Sequence, residues 1–147
     1  MRVMKQLLTS VVEATKGRRI KAMGQVFQEM ANLHLADGFL SDAVAALMRA
    51  FELDPKNGKL AMQLGTQALE IDEDEIATCA FRGIAIMKPP EPGSTDGATT
   101  EMKADANYYL ATLAKKLGDP RKAKVLATKA LSENPDHEGA RALLAEL

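Results

Sequence analysis

Apolar residues recur at intervals of three and four along nearly the whole chain, a spacing typical of amphipathic α-helices. No segment alternates between apolar and polar residues over a length that would predict a β-strand. The pattern therefore predicts an all-α protein. Its first apolar stripe consists of Val3, Met4, Leu7, Leu8, Val11 and Val12.

Residues that favour turns divide this pattern into separate helices. Gly38 suits the left-handed conformation that ends a helix, and Pro120 suits a first helical position after the capping residue Asp119. Ser41 is the predicted N-cap of the third helix. The segment 88–100, KPPEPGSTDGATT, is predicted to be a loop because it is rich in Pro, Gly, Ser and Thr. Helices are expected over residues 3–14, 19–36, 41–53, 58–71, 74–87, 100–117 and 136–147, with another that begins at 120.

The helices form pairs that repeat along the chain. Pro55, Pro89 and Pro135 each follow the second helix of a pair. The first two prolines are 34 residues apart and the last two are 46 apart, which is one repeat plus a 12-residue insertion. The aligned sets are Met30, Leu64 and Leu110; Ala31, Gly65 and Ala111; Ala43, Ala77 and Ala123; Leu47, Phe81 and Ala127; and Ala50, Ile84 and Ala130.

A 34-residue helix–turn–helix with this pattern of small and large residues resembles the tetratricopeptide repeat (TPR). The resemblance is clearest in AVAALMRAFELDP (43–55) and in ANYYLATLAKKLGD (106–119). It implies a right-handed α-solenoid of three TPR-like helix pairs with flanking helices at both ends. One departure is Asp72, which replaces the turn glycine that Gly38 and Gly118 provide in the other units.

This organisation predicts a single TPR-like domain over residues 1–147. A solenoid exposes apolar surface at each end unless it is capped, so the helices at 3–14 and 136–147 are expected to cover the first and last units. The alternative is a segment of a longer TPR array. The predicted parts are an N-terminal helix (1–23), repeat 1 (24–57), repeat 2 (58–91), an inserted loop (92–103), repeat 3 (104–137) and a C-terminal capping helix (138–147).

The resemblance also implies where a partner would bind. In TPR proteins the first helix of each pair lines the concave face of the solenoid, which here would offer an apolar strip between polar side chains. The alternative is that some of these side chains pack against neighbouring helices. The implied groove residues are Gln28, Asn32, Leu35, Lys59, Met62, Thr66, Leu69, Tyr108, Thr112 and Lys115.

One TPR subtype binds the acidic C-terminal tails of heat-shock chaperones through a clamp of Lys, Asn, Asn, Lys and Arg. The positions of this chain that match the clamp are Gln28, Asn32, Gln63, Asp105 and Tyr109. Only the asparagine at 32 is kept and all three cations are missing. The sequence therefore does not predict a clamp for acidic tails.

Composition and charge narrow the chemistry further. The formal net charge of −1 lacks the basic excess that a nucleic-acid surface needs. One Cys and two His form neither a disulfide framework nor a zinc site, so no metal and no cofactor are expected. No apolar run is long enough to be a signal peptide core or a membrane span. We expect no membrane partner and a cytoplasmic location, with a periplasmic or secreted origin open if a leader has been removed.

These features favour a non-catalytic interaction module, an adaptor or scaffold that holds a peptide or helix of a partner protein. No nucleotide-binding, zinc-protease or nucleophile-elbow motif occurs, so the chain is not expected to be an enzyme. The alternatives are a segment of a larger TPR protein and a scaffold that self-associates through its exposed ends. Cys79 is expected to be a buried, inert thiol, and one of Tyr108 and Tyr109 is expected to lie in the core.

Overall fold

A computed structural model describes residues 2–147, leaving aside the side chains at positions 2, 3, 5, 10–12 and 14. The described chain is all-α, as predicted. None of the described helices combines the length and the apolar character that a membrane span needs. The helices are α1 (Arg2–Ala36), α2 (Leu40–Leu53), α3 (Gly58–Glu70), α4 (Asp74–Ala85), α5 (Thr100–Lys116), α6 (Pro120–Glu133) and α7 (Glu138–Glu146).

The helices form two compact units. The first unit ends at Asp54 and contains α1 packed against α2, with the fully buried residues Ala31, Ala43 and Leu47 in its core. The second unit runs from Pro55 to Leu147, and each of its helices packs against the next one along the chain.

The turn between α1 and α2 explains where α2 begins. The Gly38 N–H donates to the Leu35 carbonyl (3.1 Å) and the Phe39 N–H donates to the His34 carbonyl (2.8 Å), which together make a Schellman motif. Because this motif already fixes the backbone at Phe39, α2 starts at Leu40 with no side-chain cap. The prediction that Ser41 is the N-cap is therefore wrong, since Ser41 lies inside the helix.

The same motif ends the other two first helices. Asp72 occupies the left-handed position after α3 with φ 58°, where Gly38 and Gly118 have φ 81° and 83°. Asp72 donates its N–H to the Leu69 carbonyl at 3.2 Å, as Gly38 donates its N–H to the Leu35 carbonyl. The aspartate therefore adopts the conformation of the glycine that it replaces in the repeat.

The N-terminal helix differs from the sequence prediction. Helix α1 is continuous from residue 2 to 36, rather than divided into helices at 3–14 and 19–36. The helix continues through Gly17 because an interior glycine costs only about 1 kcal/mol relative to alanine, far less than a proline. Met4, Leu7 and Leu8 are 67, 60 and 65% exposed, so these side chains do not cover the first unit as a cap would.

The C-terminal helix does pack against the last helix pair. Helix α7 contacts both α5 and α6. Its Leu143 is buried beside Ala111 and Ala127, which are the residues of the third pair that align with Gly65 and Phe81. The His137 side chain caps α7, because its Nδ1 accepts the Ala140 N–H at 3.0 Å.

Small and large residues match each other across the second helix pair. Gly65 of α3 faces Phe81 of α4 so closely that a Cβ atom on Gly65 would lie 2.6 Å from the ring. The ring is fully buried and stacks on Tyr109 of α5, with the two centroids 4.8 Å apart. A single side chain of α4 thus joins the first helices of two consecutive pairs.

Cys79 lies on the solvent side of α4. The buried residues of this helix are Ala77, Ala80, Phe81 and Ile84, which form one stripe. Cys79 is two residues from Ala77 and from Phe81, about 200° around the helix axis from each, so its thiol is exposed. The expectation of a buried thiol is wrong because neighbouring apolar residues in the sequence do not share a helix face.

Gly65→Ala is predicted to lower the free energy of unfolding by about 1 to 3 kcal/mol, because the new methyl group would overlap the Phe81 ring. Urea denaturation would measure the change. The double variant Gly65→Ala/Phe81→Leu should recover part of the loss, because the first unit already combines Ala31 with Leu47 at the equivalent positions. Gly17→Ala is the control, since nothing lies within 4 Å of its added methyl group. Additive effects of the two substitutions would contradict the argument.

Asp72→Gly is predicted to raise the free energy of unfolding by about 0.5 to 1 kcal/mol, because glycine adopts positive φ without steric cost. The substitution also removes the 3.7 Å contact between Asp72 Oδ1 and Lys116 Nζ, but an ion pair this exposed contributes little. Gly118→Ala, at the equivalent turn, should have the opposite sign. Thermal or urea unfolding of both variants tests the pair, and destabilisation by Asp72→Gly would refute the explanation.

Candidate partner-binding surface

The four predicted groove residues of α3 lie on one stripe of that helix. Lys59 is exposed, while Met62, Thr66 and Leu69 are half-buried. The Thr66 hydroxyl is satisfied within the helix, because it donates to the Met62 carbonyl at 3.0 Å. The stripe therefore presents two apolar side chains and the methyl group of a threonine beside a lysine.

Two of the three predicted groove residues of α5, Tyr108 and Lys115, are engaged with α7 or its cap, whereas the Thr112 hydroxyl donates to the Tyr109 carbonyl at 2.7 Å within α5. The Tyr108 ring lies 5.0 Å from the His137 ring and packs against the cluster around Leu143. Lys115 Nζ lies 2.6 Å from Glu146 Oε2, and this hydrogen bond lowers the pKa of the Glu146 carboxyl. Helices α3 and α5 contact each other, so the two helices that carry these stripes are neighbours in the second unit.

The remaining predicted residues belong to the first unit. Gln28, Asn32 and Leu35 follow one another at intervals of four and three residues on α1. Gln28 and Leu35 are half-buried, and Asn32 is exposed. They form a stripe of their own on that helix.

Two of the positions that match the carboxylate clamp have structural partners. Asp105 Oδ1 lies 2.8 Å from His137 Nε2, which ties α5 to the start of α7. The Tyr109 ring stacks on Phe81, and burial raises the pKa of its hydroxyl, with the nearby Asp105 and Tyr108 adding to the shift. Both side chains therefore serve contacts within the second unit.

His137 does not have the geometry of a general base. Its Nδ1 accepts the Ala140 N–H and its Nε2 contacts Asp105, so both ring nitrogens have structural partners. Among the residues that the structure describes, no group of three His, Cys, Asp or Glu side chains could hold a metal ion.

Sequence reasoning missed one apolar groove, which lies on the second unit between α4, α5 and α6 and is named here the α4–α6 groove. Its volume is about 420 Å³. One signal could have revealed it: Ile86 and Leu117 fall outside the buried stripes of their helices and are 86 and 76% exposed. The apolar lining comes from Ala85, Ile86, Leu110, Leu113, Leu117 and Leu126, and the basic side chains at the groove are Arg82, Lys122 and Lys129.

Known proteins share this architecture. Residues 104–137 match the family model of the tetratricopeptide repeat. No curated protein matches the chain in sequence. The likeness to solved structures is at the level of the fold, since the identities are 22% or lower.

Three solved structures illustrate the likeness. The crystal structure of MamA is 22% identical, covers 94% of this chain and 71% of that chain, and has a TM-score of 0.64. The N-terminal domain of stress-induced protein-1 (STI-1) from C. elegans is 18% identical, with coverages of 84% and 94% and a TM-score of 0.67. The first TPR of Spaghetti (RPAP3), bound to the HSP90 peptide SRMEEVD, is 15% identical, with coverages of 86% and 93% and a TM-score of 0.61.

The matched segment 104–137 is also the segment that the proline spacing defines as the third repeat. The agreement in fold extends over most of the chain in all three structures. The chain therefore has the fold of the tetratricopeptide-repeat structures, and its residues 104–137 match the model of that repeat.

Proposed function

We propose that this chain is a non-catalytic interaction module that binds a peptide or a helix of a partner protein along the α3 stripe of its second unit. The observation that carries the proposal is the α3 stripe. Met62 and Leu69 remain half-exposed although the opposite side of α3 is fully buried at Leu60, Leu64 and Ala68. Partially exposed apolar side chains beside polar ones are the usual means of holding a peptide.

The solved structures support an interaction module of this kind. A TPR domain with the same fold is bound to the peptide SRMEEVD, so the architecture is able to hold a short peptide. The present chain offers Met62 on its stripe, and methionine adapts to partners of different shape because it is unbranched and polarizable.

The partner of this chain is proposed to differ from that acidic peptide. A carboxylate would meet the Asp105 carboxylate rather than a cation, and the Tyr109 ring is stacked on Phe81. Of the two lysines predicted for the groove, Lys115 is already paired with Glu146. These contacts favour a partner that uses apolar side chains and backbone hydrogen bonds instead of a terminal carboxylate.

The variant Met62→Glu/Leu69→Glu is predicted to lose at least about tenfold in affinity for the natural partner, because two buried apolar contacts would be replaced by charges. The partner would be captured from the extract of the source cells with the wild-type chain, identified by mass spectrometry, and then measured as a purified protein. Circular dichroism of the variant checks that the helices are retained.

The matched control is Val125→Glu/Thr128→Glu, which places two charges at exposed positions of α6. This control should bind the partner as the wild type does. Equal binding by the wild type and by the α3 variant would refute the proposed face.

A self-associating scaffold is the second candidate, and the charge distribution of the chain favours it. Residues 1–22 contain six Lys or Arg and one Glu, a net charge of +5, whereas residues 23–147 have a net charge of −6. The same N-terminal segment exposes Met4, Leu7 and Leu8 on α1. A basic apolar helix of one copy therefore complements the acidic remainder of a second copy.

Self-association predicts a molar mass that rises with protein concentration and falls when salt screens the charges. Light scattering coupled to size exclusion would measure it at low and high ionic strength. Leu7→Glu/Leu8→Glu should give a monomer at every concentration, and the uncharged control Val125→Gln/Thr128→Gln should leave the association unchanged. A wild-type chain that stays monomeric at the highest soluble concentration would refute this candidate.

A further inference from the structure

The α4–α6 groove lies on the second unit, apart from the α3 stripe. Its volume of about 420 Å³ is within the range of pockets that bind ligands, about 300 to 1,000 Å³. Ile86 and Leu117, the residues that directly follow α4 and α5, are among its lining residues, and both are more than three-quarters exposed. The groove is therefore an apolar concavity that is open to water.

Three cations line this groove. Arg82 belongs to α4, and Lys122 and Lys129 belong to α6. All three are exposed, and none forms an ion pair with any residue that the structure describes. By contrast, Lys115 and Lys116 of α5 are both paired with carboxylates. The cations at the groove are thus available to an anionic ligand.

A buried hydrogen-bond acceptor at the groove places a further requirement on its ligand. Asn107 lines the groove with its side chain 99% buried, since only 1% of the residue is exposed. Its Nδ2 donates to Glu133 Oε1 at 3.1 Å, but its Oδ1 accepts no hydrogen bond from the described residues. An unsatisfied buried acceptor is costly, so a ligand N–H donor would gain by satisfying it once the Asn107 side chain turns toward the groove, since its oxygen is closed to solvent.

We propose that the α4–α6 groove is a second binding site, which takes a short peptide segment with apolar side chains between carboxylates. The apolar residues would contact Ile86 and Leu117, and the carboxylates would meet Arg82, Lys122 and Lys129. A peptide fits better than an apolar anion without amides, because its backbone supplies the N–H groups that Asn107 Oδ1 lacks.

The distance between the cations sets the distance between the carboxylates of the proposed peptide. Lys122 and Lys129 are seven residues apart on α6, a rise of roughly 10 Å. This distance corresponds to about three residues of an extended peptide or about seven residues of a helix. Because side chains alternate between the two faces of an extended peptide, acidic residues at i and i+4 of an extended segment, or at i and i+7 of a helix, are the recognition pattern that the groove specifies.

The test uses a displayed library of random dodecapeptides. The library is first depleted on Arg82→Glu/Lys122→Glu/Lys129→Glu and then selected on the wild-type chain. The expected result is enrichment of peptides with Leu, Ile or Phe between acidic residues at one of the two spacings. The most enriched peptide is then synthesised with a fluorescein label, and its affinity is measured by fluorescence anisotropy.

The triple variant should bind this peptide at least about tenfold more weakly, because each charge-assisted contact becomes a repulsion. Ile86→Glu should also weaken binding, and its high exposure makes the substitution compatible with folding. The matched control Lys88→Glu/Arg121→Glu/Lys124→Glu makes the same change in net charge at three exposed cations that do not line the groove. Binding to the control should stay within about twofold of the wild type.

The variant Met62→Glu/Leu69→Glu separates this site from the proposed α3 face and should bind the selected peptide as the wild type does. The proposal is overturned if no peptide survives depletion and selection, or if the enriched peptides are basic. It is equally overturned if the control variant or the α3 variant loses the peptide to the same extent as the groove variant.

Discussion

The packing of the second unit depends on the contact between a buried aromatic ring and a glycine. The Phe81 side chain fills the space that the missing side chain of Gly65 leaves open, and its ring stacks on Tyr109. Because α4 thereby touches the first helices of two pairs, one ring fixes both the spacing within a pair and the spacing to the next pair. At the equivalent positions the first unit has Ala31 and Leu47, so a side chain smaller than phenylalanine packs against a residue larger than glycine.

The turn after the first helix of each pair has the same backbone hydrogen bonds in all three pairs, so it directs the second helix in the same way. The three turns share the Schellman hydrogen bonds, although two use glycine and one uses Asp72. Because backbone hydrogen bonds hold each turn, no side chain of the first helix is needed to form it. In the second unit, the half-exposed stripe of α3 is available for a partner for this reason.

The repeat register could be predicted from the sequence because helix pairing selects residue size, and size is visible in aligned positions such as Gly65 and Phe81. Features that depend on the absence of a neighbour could not be predicted. The continuity of α1 follows from the small cost of glycine at position 17, where no neighbouring element interrupts the helix, and the exposure of Cys79 follows from its angle around α4. The α4–α6 groove was missed because it is lined by three helices whose residues are far apart in the chain.

Backbone hydrogen bonds hold the C-terminal end of the inserted segment between the second and third pairs. Gly97 donates its N–H to the Lys56 carbonyl at 2.8 Å, and Ala98 donates to the Lys88 carbonyl at 3.0 Å, with Ala98 almost fully buried. The start of α5 is thus tethered beside the start of α3, independently of how many residues precede Gly97. Related chains should vary in length within 91–95, where residues are exposed, while the pairs on either side keep their spacing.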